Sequence, residues 1–206
     1  LDVFMEKGIK IDGIIGVSAG ALFGMNYKSK QIGRVLRYNR KYAKSKQYMG
    51  FYSLISTGDI MNREFCFNKI VNELDPVDFE TFKNSEVEFY AVVTNMETGK
   101  PEYIKIDDLK DKVQLEYLRA SGSMPYVSKP VIIKGKKYLD GGISDSIPIE
   151  KIMNMGFDKI IVILTRPIEY RKKKGNEKIP EIYYRKYPKL VETINNRYKM
   201  YNEEVE

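Results

Sequence analysis

The sequence predicts an α/β fold of three layers, in which helices cover both faces of a largely parallel central sheet. Short apolar runs of strand length alternate along the chain with longer segments that have helical spacing. That alternation is typical of strands joined by helices in a parallel sheet. The last run, residues 159–165 (KIIVILT), is apolar almost throughout, as in a strand that is covered on both faces.

The elements follow from local patterns, taken in chain order. Short β-branched runs bounded by turn residues predict strands at 11–17, at 87–106 with a turn at 97–100, at 130–140 with Gly135 in the turn, and at 159–165. Helical spacing, with a glycine or proline near the end, predicts helices at 1–7, 19–27, 31–49, 60–74, 110–121 and 147–155.

Composition limits the class of protein. The chain has 206 residues, of which 43% are hydrophobic, so it can bury a core, and it fits one domain with an appendage. We expect a domain at 1–165, followed by a basic, tyrosine-rich extension at 166–206 that packs on the domain or trails from it. The net charge of +7 suits an anionic partner, although it serves plain solubility equally well.

Cysteine and histidine content narrows the chemistry. The chain has one cysteine, Cys66, which lies between two phenylalanines and is interpreted as a buried small hydrophobe. The absence of a disulfide framework favours a cytoplasmic location. With no histidine and no cysteine cluster, we expect no metal site of those ligands and no cofactor. No apolar run reaches the length of about 18 residues that a membrane span needs.

A G-x-S-x-G motif marks the candidate nucleophile, Ser18. Its five residues are Gly16, Val17, Ser18, Ala19 and Gly20. They fall between a predicted strand and a predicted helix, where a sharp turn lifts the serine above the sheet edge and the glycines relieve crowding on either side. The backbone N–H of Ala19, at the start of the helix, is a candidate oxyanion donor. The alternative is a structural turn with a solvated serine.

Without histidine, the base for Ser18 must be a carboxylate or an amine. Asp12 lies roughly 20 Å away along the strand. Asp140 ends a predicted strand, and Gly141 and Gly142 give its loop the freedom to turn the carboxylate back over the sheet. Asp145 is the second candidate, but Asp145 or Ser146 is expected to cap the helix after Pro148. An Asp–Gly turn without catalytic meaning is the alternative for Asp140.

Four segments in this order resemble the patatin-like phospholipase family. They are GVSAG (16–20), ASGSMP (120–125), LDGG (139–142) and DSIP (145–148). The resemblance covers roughly residues 1–165. It implies a Ser–Asp dyad without histidine, with Ser18 as nucleophile and Asp140 as base. It assigns no chemical role to the segment 120–125.

The resemblance also implies a glycine-rich oxyanion loop, G-G-G-x-[RK]-G, which is missing from this sequence. We expect it, with the first strand, immediately upstream of Leu1. The chain as given would then hold only part of the oxyanion hole, and we expect it to be weakly active.

The substrate implied by the resemblance is a lipid carboxyl ester, and a thioesterase or transacylase using the same dyad is an alternative. Lys and Arg at 166, 171–174, 178, 185, 186 and 189 alternate with Tyr170, Tyr183, Tyr184 and Tyr187, a pattern that suits an anionic membrane surface. A solvated surface helix explains the same pattern. A nucleic-acid partner has no motif to support it, and a non-catalytic lipid-binding relative is the remaining alternative.

Overall fold

The computed structural model describes residues 1–206, and a five-stranded sheet forms its centre. The strands are β1 (Gly13–Val17), β2 (Glu88–Asn95), β3 (Pro101–Lys105), β4 (Val131–Ile133) and β5 (Lys136–Asp140). β2 is central. β1 and β5 pair along the same edge of β2, one after the other, and β3 pairs with the opposite edge; β4 pairs with β5.

The fold is α/β as expected, but the sheet is mixed rather than largely parallel. β1 and β2 are parallel, whereas β2–β3, β2–β5 and β4–β5 are antiparallel. For β2–β3 and β4–β5 the reason is the short connection, since a tight turn can join only antiparallel strands. Lys134 and Gly135, which both have positive φ, form such a turn between β4 and β5.

The predicted strand 159–165 is wrong. This segment has neither helix nor strand structure, and Ile161 and Ile163 are each 60% exposed. Its apolar composition matches a buried strand, but a strand also needs a neighbouring backbone to pair with. None of the five strands pairs with residues 159–165.

The helices lie close to most of the predicted segments, with shorter bounds. They are α1 (Asp2–Glu6), α2 (Ala19–Lys28), α3 (Arg34–Tyr42), α4 (Phe51–Thr57), a π-helix (Phe65–Leu74), α5 (Phe79–Asn84), α6 (Lys112–Ser121), a 3₁₀ turn (Gly141–Ile143), α7 (Ile149–Met153), α8 (Lys178–Tyr183) and α9 (Pro188–Val205). None of these helices combines the length and the apolar composition that crossing a bilayer requires.

Helices cover both faces of β2, whose alternate side chains point to opposite sides. On one side Phe89 and Ala91 pack with Ala21 and Met25 of α2 and Leu118 of α6. On the other side lies a second cluster. In it Leu190 of α9 packs with Leu139 of β5 and with Met96, Ile143 and Tyr184. The three-layer arrangement therefore includes the C-terminal helix.

Candidate active site

The ends of β1 and β5 meet on β2, and this meeting creates the site. β1 runs parallel to β2, and its last residue, Val17, pairs with Val92. β5 runs the opposite way, and its last residue, Asp140, pairs with the next position, Val93. The residues that leave these two strand ends, although 122 apart in sequence, therefore emerge side by side at one point of the sheet.

Ser18 lies in a strained turn between β1 and α2. Its φ is 53° and its ψ is −118°, a conformation that non-glycine residues rarely adopt. Its backbone N–H donates to the Oγ of Ser121 at 3.0 Å. The turn lifts the hydroxyl out of the strand direction and presents it at the top of the sheet, as in the nucleophile elbow.

The two glycines around Ser18 differ in what they permit. A Cβ on Gly16 would lie 2.5 Å from the Cα and N of Ala21, so only glycine fits where β1 turns into α2. A Cβ on Gly20 would meet nothing within 4 Å. The expectation that both glycines relieve crowding is therefore right for Gly16 and wrong for Gly20, which borders open space in the first turn of α2.

Ser18 and Asp140 are directly bonded. The Ser18 hydroxyl donates to Asp140 Oδ2 at 2.6 Å, and Asp140 Oδ1 accepts the backbone N–H of Gly142 at 2.8 Å. Asp140 is only 5% exposed. Its backbone is also held, because its N–H donates to the carbonyl of Ser123 and its carbonyl accepts the Thr94 hydroxyl. The carboxylate thus has one fixed orientation toward the serine.

Burial raises the pKa of Asp140 above its usual value, because the charged form loses its hydration. The bonds from Ser18 and Gly142 and the positive charges of Arg197 and Lys172 act in the opposite direction. A raised pKa makes the carboxylate a better proton acceptor than an exposed aspartate.

Gly141 and Gly142 are needed for close packing and not for a positive φ. A Cβ on Gly141 would lie 2.2 Å from the carbonyl oxygen of Val92, and one on Gly142 would lie 3.1 Å from Asp140 Oδ1. Neither has a positive φ. The expected conformational freedom is therefore not what these glycines supply. Gly141 lets the loop after Asp140 lie directly on β2, and Gly142 leaves space for the Asp140 carboxylate.

The N-terminus of α2 faces the site. The first N–H groups of a helix have no intrahelical acceptor, so the N–H of Ala19 is available to a negatively charged oxygen beside Ser18. Gly20, in the same turn, is exposed, and nothing lies within 4 Å of the position a Cβ would take there.

A comparison with known protein families covers the residues of this site. The family model described as patatin-like phospholipase matches residues 1–153, about three quarters of the chain. The chain belongs to the patatin-like phospholipase family. Ser18 and Asp140 both lie within the matched residues.

Three relatives show how the patatin-like chain compares with longer proteins. An uncharacterized protein of Escherichia coli, YjjU, is 26% identical over 173 residues, covering 81% of this chain and 47% of the relative. Lysophospholipase nte1 of Aspergillus fumigatus is 28% identical over 77% of this chain and 10% of its own length. An uncharacterized NTE family protein of Mycobacterium bovis is 24% identical over 79% of this chain and 43% of its own length.

The chain therefore spans about half the length of the relatives it matches, or less. Family membership and the lysophospholipase relatives support a lipid hydrolase in general.

Asp145, the second candidate for the base, makes no hydrogen bond with Ser18. Its carboxylate accepts the hydroxyl of Tyr103. It does not cap a helix either, and nor does Ser146, because α7 begins after Pro148 without a side-chain cap. Ser146 donates instead to the carbonyl of Gly142 at 2.8 Å. The predicted cap is thus wrong, because both side chains hold the base loop and its surroundings.

Sequence reasoning missed the residues that hold Ser18 and Asp140 in place. Ser121 binds the backbone of Ser18, and Ser123 binds the backbone of Asp140. Both lie in the small-residue segment 120–125, whose composition was the only signal. Arg197 in the C-terminal helix reaches the carbonyl of Gly142 and has no sequence signal at all.

Cys66 is buried, as expected, in a cluster with Tyr38, Tyr48, Phe65 and Ile70. Burial raises the pKa of its thiol to about 12. A thiol with so high a pKa is protonated at neutral pH and is not a nucleophile.

Proposed function

We propose that the protein is a serine acyl hydrolase that cleaves lipid carboxyl esters through Ser18 and Asp140. The observation that supports this most directly is the 2.6 Å hydrogen bond from the Ser18 hydroxyl to the buried carboxylate of Asp140. The strained serine conformation and the free helix N-terminus support the same reading. Nothing in the site favours a thioesterase, a transacylase or a non-catalytic relative.

In the first half of the reaction, Ser18 Oγ attacks the ester carbonyl carbon while its proton moves to Asp140 Oδ2. The negative charge that develops on the carbonyl oxygen faces the N–H of Ala19. Collapse of this intermediate breaks the bond to the alcohol, which takes the proton from Asp140. The acyl group remains on Ser18.

In the second half, water attacks the acyl-enzyme and gives its proton to Asp140. Breakdown of the new intermediate returns that proton to Ser18 Oγ and releases the fatty acid. Both halves need an ionised Asp140, so activity should fall on the acid side, below the raised pKa of that carboxyl group.

The test is covalent labelling of the full-length protein with a fluorophosphonate, read by intact mass and peptide mapping. We expect one adduct, on Ser18. Asp140→Asn keeps the shape of the side chain and its bond from Gly142 but cannot take the serine proton, so labelling should slow at least about 10²-fold. Circular dichroism should show that the fold is unchanged.

Asp12→Asn is the matched control, because Asp12 is an exposed acid just before β1, and it should label like the wild type. If Asp140→Asn kept more than about a tenth of the wild-type rate, the dyad assignment would be wrong. Labelling of a different serine would be equally decisive against it.

We propose further that the protein works at an anionic membrane surface. α8 leaves Ile179, Ile182 and Tyr183 exposed, and the basic residues Arg185 and Lys186 follow directly. Exposed apolar side chains beside cations suit the interface of an anionic bilayer. Not all the tyrosines of this segment serve it, because Tyr184 is buried and Tyr187 packs beside it in the core.

Vesicle sedimentation tests this surface. The full-length protein should bind vesicles that contain phosphatidylglycerol more tightly than pure phosphatidylcholine vesicles. Replacing both Arg185 and Lys186 with Gln should weaken binding about 30-fold, at about 1 kcal/mol for each cation. Lys134→Gln with Lys136→Gln removes equal charge from the exposed β4–β5 turn and should have little effect. Equal losses from both pairs would refute a specific surface.

A further inference from the structure

The C-terminal helix α9 contacts the loop that carries the base. Arg197 Nε–H donates to the carbonyl oxygen of Gly142 at 2.5 Å. The N–H of the same glycine donates to Asp140 Oδ1, whose other oxygen accepts the hydroxyl of Ser18. A continuous series of three hydrogen bonds therefore joins α9 to the nucleophile.

A second residue of α9 holds the far end of the same loop. Glu204 accepts the backbone N–H of Ile147 at 2.8 Å and that of Ser146 at 3.3 Å. It lies seven residues, or about two turns, after Arg197, so both side chains leave one face of the helix. α9 thus fixes the loop 141–147 at both ends.

Arg197 also brings positive charge to the base. Arg197 and Lys172 are both half-buried, and no ion pair within 4.0 Å involves either of them. Lys172 is held beside α9 by two backbone bonds with Asn202, and its Nζ lies 3.5 Å from the ring centroid of Tyr201. The other charged groups near Lys172 are Arg166 and Glu204. Neither cation is neutralised by a paired carboxylate.

We propose that Arg197 is a positioning residue for the dyad, which holds the Gly142 peptide so that the Asp140 carboxylate faces Ser18. This role rests on the proposed function of the dyad. It comes from a helix that lies beyond residues 1–153, the part matched by the family model. The guanidinium has a second effect through its charge, because a nearby cation stabilises the ionised form of Asp140.

Two substitutions separate the positioning effect of Arg197 from the effect of its charge. Arg197→Gln removes the charge, so the acid side of the pH profile should move to higher pH, and the loosened loop should lower the rate about tenfold or more. Arg197→Lys keeps the charge but loses the planar donor group. It should therefore return the acid side of the pH profile to its wild-type position while recovering only part of the labelling rate.

The experiment measures the rate of fluorophosphonate labelling of Ser18 between about pH 5 and about pH 9 in the full-length protein. Lys199→Gln is the matched control, because Lys199 is an exposed cation on the same helix, two residues from Arg197. It should match the wild type. A parallel ¹³C NMR titration of aspartate carboxyl groups follows Asp140 directly, with Asp140→Asn as the assignment standard.

A wild-type rate and pH profile in Arg197→Gln would overturn the proposal. A lower labelling rate that follows a lower melting temperature, with the acid side of the pH profile unchanged, would also overturn it. That result would mean that Arg197 only docks α9 onto the domain. If the wild type itself is not labelled, the proposed hydrolase function fails, and the NMR titration decides the role of Arg197 separately. Identical Asp140 titrations in wild type and Arg197→Gln would then refute it.

Discussion

Gly16 and Gly20 flank the nucleophile symmetrically in the sequence, but packing requires only the first. A methyl group on Gly16 would meet the backbone of Ala21 at 2.5 Å, and backbone cannot move aside cheaply. We expect Gly16→Ala to destabilise the protein by about 1–3 kcal/mol. Gly20→Ala adds a methyl group in open space in a helix and should be neutral or stabilise by up to about 1 kcal/mol.

Urea unfolding of the two variants beside the wild type measures this difference. Because both substitutions are the same chemical change four residues apart, each is the control for the other. Equal destabilisation by both would contradict the packing found at Gly16. A loss of labelling in a stable Gly20→Ala would show in addition that a methyl group at this position obstructs access to Ser18.

At the scale of single residues, the sequence indicated the two side chains that the structure joins by a hydrogen bond, Ser18 and Asp140, but not the residues that hold them. Ser18 and Asp140 carry local signals, a strand–turn–helix motif and an Asp–Gly–Gly loop. Ser121 and Arg197 are ordinary residues within helices, and they matter because of what they lie against. A hydrogen bond across 103 residues, like that from Ser18 to Ser121, has no local pattern to predict it.

At the scale of elements, the sequence predicted where strands and helices form better than it predicted how the strands pair. The alternating pattern predicted β2 and β3 and the hairpin of β4 and β5, because side-chain periodicity reflects local backbone geometry. The direction and register of the sheet depend on distant partners. Ser18 and Asp140 meet because Val17 and Asp140 pair with consecutive residues of β2, and a shift in either register would separate them.

The segment 159–165 also shows that local composition does not determine whether a strand finds a partner. Its composition is more strand-like than that of β5, yet β5 forms a strand and this segment does not. Hydrophobicity records a tendency to be buried, whereas a strand also requires a hydrogen-bonding neighbour. The π-helix at Phe65–Leu74 is a related case, since helical spacing predicted a helix there without indicating its wider turn.

At the scale of the whole molecule, a basic chain holds two half-buried carboxyl groups, those of Asp145 and Glu204, where α9 meets the loop 141–147. Burial, and then the neighbouring charge of Asp145, raises the pKa of Glu204 to about 8. Burial also raises the pKa of Asp145, which is bonded by Tyr103. Glu150 lies near enough to Asp145 to add to this repulsion. Near neutral pH the folded protein therefore holds a proton on Glu204 that the unfolded chain releases.

This proton makes stability depend on pH in a definite direction. Between the ordinary glutamate value of 4.5 and about 8, the folded state binds more protons than the unfolded state, so stability falls as pH rises. Glu204→Gln imitates the protonated side chain and keeps the acceptor for Ile147. We expect this variant to lose less stability than the wild type as pH rises. At about pH 9 it should melt a few degrees above the wild type, which is the effect of about 1 kcal/mol in a chain of this size.

Melting curves of wild type and Glu204→Gln at about pH 5 and about pH 9 measure the effect, which should be small at the lower pH and clear at the higher. Glu203→Gln is the control, because Glu203 is exposed on the same turn and should change stability equally little at both values. A constant difference between Glu204→Gln and wild type across pH would mean that Glu204 is ionised in the folded protein. α9 would then be held to the base loop by a charged carboxylate rather than by a neutral one, and this contact would be equally strong at both pH values.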